Sequence, residues 1–197
     1  MGRIEGKKGS LKDGRVFAIR TALPSDGEKI LAYMKEILAE SPFLVTTPEE
    51  LTMSVEEEKR HLQQMADDPD RLAIVAEWEG EIIGFLDFHG GKKKRLNHQG
   101  SFGMSVRSGF RGQGVGKALL GCLIGWAENH PRLEKINLEV FARNRAAIGL
   151  YESFGFTVEG KKRKEIKRED GSYEDLILMA RFLDPKPGAA DSTANAQ

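Results

Sequence analysis

Arg111-Gly112-Gln113-Gly114-Val115-Gly116-Lys117 decides the reading of this chain. It follows a strand-like run, Ser101 to Val106, and opens a helix with apolar residues at Val115, Ala118, Leu119, Cys122, Leu123 and Trp126. Those positions fall at i, i+3, i+4, i+7, i+8 and i+11, one face of a helix. A glycine-rich turn between a strand and a helix N-terminus suits a phosphate. Unpaired N–H groups point outward there, the helix dipole favours negative charge, and glycine lets a ligand approach the backbone. The turn is therefore expected to hold a phosphorylated cofactor.

Two familiar phosphate loops fail on inspection. A Walker A loop anchored on Gly116-Lys117 requires glycine at 111 and Ser or Thr at 118, where the chain has Arg111 and Ala118. A dinucleotide fingerprint anchored on Gly112 and Gly114 puts Lys117 where its third glycine belongs. What remains is Arg-x-x-Gly-x-Gly. A second segment follows, Asn144-Arg145-Ala146-Ala147-Ile148-Gly149-Leu150-Tyr151-Glu152-Ser153-Phe154-Gly155-Phe156. Together these resemble the GNAT superfamily of acetyl-CoA-dependent N-acetyltransferases, whose second segment runs Asn-x-x-Ala-x-x-Leu-Tyr-x-x-x-Gly-Phe. The resemblance spans residues 15 to 183 in pattern order and is strongest from 98 to 158.

Composition bounds the alternatives. The 197 residues suffice for one domain with a sizeable core. Lys plus Arg and Asp plus Glu each total 30, so no net field draws the chain to nucleic acid or an anionic membrane. The lone Cys122 sits on the apolar helix face and reads as a core thiol. No apolar run approaches a membrane span, and Met1 to Lys12 lacks the apolar core of a secretory signal. A cytoplasmic protein is the expectation. The histidines at 61, 89, 98 and 130 show no metal-ligand spacing, and no metal is expected.

Residues 1–14 read as a flexible N-terminal segment, 15–183 as the domain, and 184–197, rich in Pro, Ala and small polar residues, as a disordered tail. A short strand from Arg15 to Arg20 leads to a helix opened by a capping box, Ser25 to Glu28. Pro48 follows Thr47 at a helix start, and Ser54 to Glu57 is another capping box. Leu72–Trp78 and Ile82–Phe88 flank Glu79-Gly80-Glu81 as a hairpin. After the strand at Gln99–Val106 and the helix from Gly114 to Asn129 come a strand at Lys135–Phe141 and a helix at Arg145–Phe154. Closing strands are expected near Phe156–Glu159 and Tyr173–Phe182. Hairpins and strand–helix–strand units together predict an α/β (α+β) fold. Its mixed, mostly antiparallel sheet has about six to seven strands, flanked by about four helices. The resemblance adds strands splayed at the cofactor site.

The expected chemistry is attack of an amine on the acetyl-CoA thioester. Main-chain N–H groups of Gly112, Gln113, Gly114, Val115, Gly116 and Lys117 would grip the diphosphate, with positive charge from Arg111 and Lys117. The resemblance assigns pantetheine to the strand edge Met104-Ser105-Val106, where an N–H could also receive the carbonyl oxygen. It places Asn144 against the cofactor, although Asn at a helix start is also an N-cap. It makes Tyr151 the acid that protonates the leaving thiolate, a role its phenol suits; the plain alternative is a packed aromatic. Candidates for the base or for substrate contact are His98, Ser101 and Glu139. The basic run Lys161–Lys164 lacks interleaved aromatics and reads as a solvated hairpin. The expected acceptor is the primary amine of a small molecule: an amino acid, a polyamine or an amine-bearing antibiotic. Its contacts are expected in residues 39–53 and 161–173. The alternatives are a protein N-terminus, as of a ribosomal protein, and a non-catalytic acyl-CoA sensor. The resemblance also admits a homodimer.

Overall fold

A computed structural model describes residues 2–184. Of the expected tail only Asp184 falls among them; residues 185–197 lie outside the described residues. Eight strands form one sheet: β1 (Lys7–Ser10), β2 (Val16–Thr21), β3 (Arg71–Trp78), β4 (Glu81–Gly90), β5 (Gln99–Val106), β6 (Lys135–Phe141), β7 (Thr157–Lys167) and β8 (Tyr173–Phe182). Their spatial order is β1-β2-β3-β4-β5-β6-β8-β7. Four α-helices accompany them among the described residues: α1 (Gly27–Glu40), α2 (Val55–Asp67), α3 (Val115–Glu128) and α4 (Arg145–Ser153).

The sheet is mixed and mostly antiparallel, as expected, with one more strand at its N-terminal edge. β1 lies within the segment read as loose: Lys7 to Ser10 pair with Ile19 to Val16, and Leu11 is buried in the core. Its polar composition hides it, because an edge strand exposes most of its side chains. β7 also runs past its expected end at Glu159, to Lys167. It too is an edge strand, and its charged residues carry no apolar alternation.

Both expected faces are covered. α1 and α2 bury Ile30, Tyr33, Ile37, Leu62 and Met65 against Ala73, Val75 and Ile82. On the other face α3 buries Leu119, Leu120 and Leu123 with Ile74, Leu86 and Phe88, and α4 adds Ile148 and Tyr151. α3 lies close on β4 because residue 84 is glycine. A Cβ there would come within 2.9 Å of Leu119 Cδ1 and 3.0 Å of Val115 Cγ1. That close contact fixes the height of the α3 N-terminus above the sheet.

Local signals were mostly sound. Glu79 and Gly80 both take positive φ (50° and 81°), the backbone of a two-residue hairpin turn. The Ser54–Glu57 box forms, with Ser54 N–H donating to Glu57 Oε2 at 2.8 Å. The Ser25–Glu28 box does not. A short 3-10 turn occupies Pro24–Asp26, and α1 begins at Gly27. Asp26 Oδ2 instead accepts from Leu23 N–H at 2.8 Å and from Arg20, which also meets Glu77. A charged partner reached from β2 outcompetes the neutral serine. Thr47-Pro48 likewise opens only a 3-10 turn, Pro48–Glu50.

The pairing of β5 with β6 matters most for function. It is parallel and confined to Gln99–Ser101 against Lys135–Asn137. Past that point β5 stays on β4 as far as Val106, while β6 stays on β8 as far as Phe141. The two strands part, leaving one edge of Phe102–Val106 without a strand partner.

Candidate active site

The turn after β5 is built by two left-handed glycines. Gly112 has φ 69° and Gly114, the residue before α3, has φ 99°. Only glycine adopts the second without strain. The turn is tied down by side chains. Gln113 Nε2 donates to Gly109 O at 2.9 Å. Arg111 Nε donates to Val106 O at 2.9 Å, and its Nη2 meets Glu40 Oε1 at 2.7 Å. Ser108 N–H donates to the same Glu40 oxygen at 2.9 Å. Arg111, expected to add positive charge at the diphosphate, is ion-paired with Glu40 and joins the turn to the end of α1. Glu40 lies 71 residues away in sequence, so no local pattern announces it.

The main-chain N–H groups of residues 112–117 have no acceptor among the described residues; the first α3 bond is Ala118 N–H to Gly114 O at 3.0 Å. Six consecutive donors are thus left unpaired at the turn and the start of α3. Gly112, Gly114, Gly116 and Lys117, with Arg111, line a cavity of ≈ 490 Å³ on the turn side, and Met104, Ser105 and Val106 line it from β5. Asn144 and Tyr151 line it from the α4 side. Gln113 and Val115 do not line it: Gln113 braces the turn and Val115 is buried in the core. Lys12 reaches this cavity too. Composition gave no hint of it, because β1 is what carries Lys12 to the turn.

The free edge of β5 faces the same cavity. Arg107 N–H bonds to Ile83 O at 3.0 Å, which fixes the ladder's phase. By alternation, the backbone groups of Ser105 point to β4, and those of Met104 and Val106 point into the gap. Val106 O is already taken by Arg111. The Ser105 hydroxyl is 3.0 Å from that of Tyr33, a buried α1 residue whose pKa is pushed up by burial.

Tyr151 is 7% exposed, with its ring against Phe102 and Phe156 at centroid distances of 5.7 and 5.9 Å. Its hydroxyl has no hydrogen-bond partner among the described residues, and burial pushes its pKa up to about 12. It is both a packed aromatic and a phenol on the cavity wall. Asn144 is likewise both things at once. Its Oδ1 accepts from Ala147 N–H at 3.2 Å as the α4 N-cap, and its side of the helix borders the cavity.

The candidate bases are not brought to this cavity. His98 sits at the far end of β5, where its carbonyl accepts from Glu134 and Lys135 N–H. Ser101 is exposed opposite His89. Glu139 is held by Lys162 at 2.7 Å. Instead a second cavity, ≈ 280 Å³, adjoins the first and shares Leu44, Met104 and Ser105 with it. Titratable side chains there are Glu58 and His61 of α2 and Asp87 of β4. No spacing motif announces them, because Asp87 comes from β4 and meets the α2 pair only through the fold.

The sheet parts beside a helix N-terminus whose amides are unpaired, a geometry that suits an anionic group. Residues 31–156 match the acetyltransferase (GNAT) family model, and the chain belongs to that family. It is an N-acetyltransferase. It is 34% identical over 132 residues to the L-amino acid N-acetyltransferase AaaT of Escherichia coli (strain K12), covering 66% of this chain and 81% of that protein. It is 42% identical over 79 residues to the [ribosomal protein bS18]-alanine N-acetyltransferase of the same strain, covering 40% of this chain and about half, 52%, of that one. Among solved structures, an acetyltransferase of GNAT family from Streptococcus pneumoniae superposes with TM-score 0.82 at 26% identity, covering 85% of this chain and 99% of the other. Among the described residues no helix is long and apolar enough to cross a membrane, and no group of His, Cys, Asp and Glu could hold a metal ion.

Proposed function

We propose that the chain transfers the acetyl group of acetyl-CoA to the primary amine of a small molecule. The observation that carries this reading is the row of unpaired amides at 112–117, opening on a cavity that also holds Tyr151 and the free edge of β5. That set fits coenzyme A group by group. The amides and the helix dipole suit its diphosphate, with Lys117 and Lys12 adding charge. The outward-facing backbone groups of Met104 and Val106 suit the amides of pantetheine. Asn144 borders the same path.

Bound acetyl-CoA supplies a thioester whose carbonyl accepts the amine. The amine attacks in its neutral form, its proton passing to solvent water, and the residues of this chain hold the charge and the leaving group. A main-chain N–H on the free β5 edge stabilises negative charge on the carbonyl oxygen. Tyr151 stays protonated at neutral pH and donates its proton to the departing sulfur. The cavity adjoining at Leu44, Met104 and Ser105 supplies the room for the acceptor. An L-amino acid N-acetyltransferase among the relatives supports a small-molecule acceptor.

The test is release of free thiol from acetyl-CoA by the full chain with a panel of small amines and N-terminal peptides. Turnover with small amines above that with peptides supports the reading. Turnover with peptides alone would transfer the assignment to a protein N-terminus.

A further inference from the structure

The second cavity has a charge pattern that selects among amines. Its walls are largely apolar, with Met34, Leu44, Leu51 and Phe85 prominent. Its polar end is carboxylate. Glu58 is 6% exposed and lines the cavity, yet its carboxylate makes no hydrogen bond or ion pair among the described residues. Asp87 lines the same cavity and accepts from His89 Nε2 at 2.8 Å. His61 lies one turn beyond Glu58, its ring 6.3 Å from that of His89. No lysine or arginine lines this cavity. Arg71, whose charge reaches His61, is held by Asp68 at 3.2 Å. The outer vestibule shares Leu51 and Met53 with the cavity and adds Glu50 and Glu57.

A nearly buried carboxylate without a partner is costly, and the cost falls when a cation meets it. Burial first, then the charge of Asp87, raises the Glu58 pKa, and no lysine or arginine on the cavity wall offsets either. An ammonium is the ligand that matches. A ligand carrying a carboxylate next to its amine would bring a further negative charge to Glu58 and Asp87, with no cation on the wall to receive it.

We propose that this cavity is the acceptor site and that it takes a primary amine on an apolar body with no anionic group, the ammonium docking on Glu58 and Asp87. This rests on the acetyltransferase reading above and narrows it: free amino acids are poor acceptors, and their carboxylate-free counterparts are good ones.

The experiment compares three acceptors of one shape, L-leucine, L-leucinamide and 3-methylbutylamine, by thiol release from acetyl-CoA. 3-Methylbutylamine is a stronger base than leucine, so a preference for it cannot arise from a larger free-amine fraction. The expected result is a kcat/KM at least ten-fold higher for both carboxylate-free amines than for L-leucine. In Glu58→Gln the preference shrinks toward parity while the Kd for acetyl-CoA is unchanged. Asp87→Asn provides the same comparison if Glu58→Gln fails to fold. Equal or better use of L-leucine by the wild-type chain overturns the proposal, as does a preference that survives both substitutions, or transfer to none of the three. Loss of acetyl-CoA binding itself would refute the parent reading instead, so the two failures are distinguishable.

Discussion

Tyr151→Phe removes one oxygen and leaves the ring. The structure lets the two consequences be separated. The ring keeps its contacts with Phe102 and Phe156, and the hydroxyl gives up no hydrogen bond among the described residues. Folding stability should therefore change by less than about 0.5 kcal/mol. Affinity for acetyl-CoA, carried by the 112–117 turn, should stay within about two-fold. The chemical step should lose general acid catalysis, a fall of roughly 10²–10⁴ in kcat, or about 3–5 kcal/mol of barrier. Steady-state thiol release, thermal melting and calorimetry with acetyl-CoA measure the three quantities independently. The pH profile adds a sign. An acid works below its pKa, and burial pushes this one up to about 12, so the wild-type rate should not fall through loss of this proton below pH 10. The same raised pKa gives stability that is complete below the free phenol's value near 10 and is lost as pH climbs toward 12. A Tyr151→Phe enzyme that turns over within two-fold of wild type would refute the reasoning.

Three further outcomes follow from the same geometry. Gly114→Ala places a Cβ on a residue at φ 99°, with the nearest atom, Ser10 O, at a harmless 3.6 Å. The cost is thus backbone strain of about 1–2 kcal/mol, read as a lowered Tm, together with acetyl-CoA binding weakened about ten-fold; an unchanged Tm would count against the left-handed turn. Asn144→Ala deletes the α4 cap and should cost about 1 kcal/mol in denaturant unfolding, whereas Asn144→Asp should retain most of that stability. Burial raises the pKa of the Cys122 thiol; a disulfide reagent should modify it at least a hundred-fold more slowly in the folded protein than after denaturation, and rapid stoichiometric reaction in the native state would contradict its core position.

Much of this was legible from residues alone, for physical reasons that can be named. The α3 face, the Glu79-Gly80 turn and the Ser54 box are local: each depends on residues within one or two turns of chain. β6 matched its expected ends at Lys135 and Phe141 because it alternates apolar and polar residues beneath a covered face. β1 was hidden because an edge strand of Lys, Gly and Ser has no buried face to encode. The Ser25 box is absent where Asp26, in the 3-10 turn before α1, is held by Arg20 of β2. Within the site, the turn glycines and Tyr151 were readable, since backbone conformation and helix phase dictate them. Glu40's hold on Arg111, Lys12's place on the cavity wall and the shared cavity of Glu58 and Asp87 were not. Each brings together elements far apart in sequence, which no spacing records.

The account depends most directly on main-chain donors at residues 112–117 holding the diphosphate of coenzyme A. A titration of the isotope-labelled chain with coenzyme A, followed through backbone amide resonances, examines those donors one by one. Saturable shifts concentrated on residues 112 to 117 are the predicted result. Binding that leaves these six amides unmoved, or no binding at all, would contradict it.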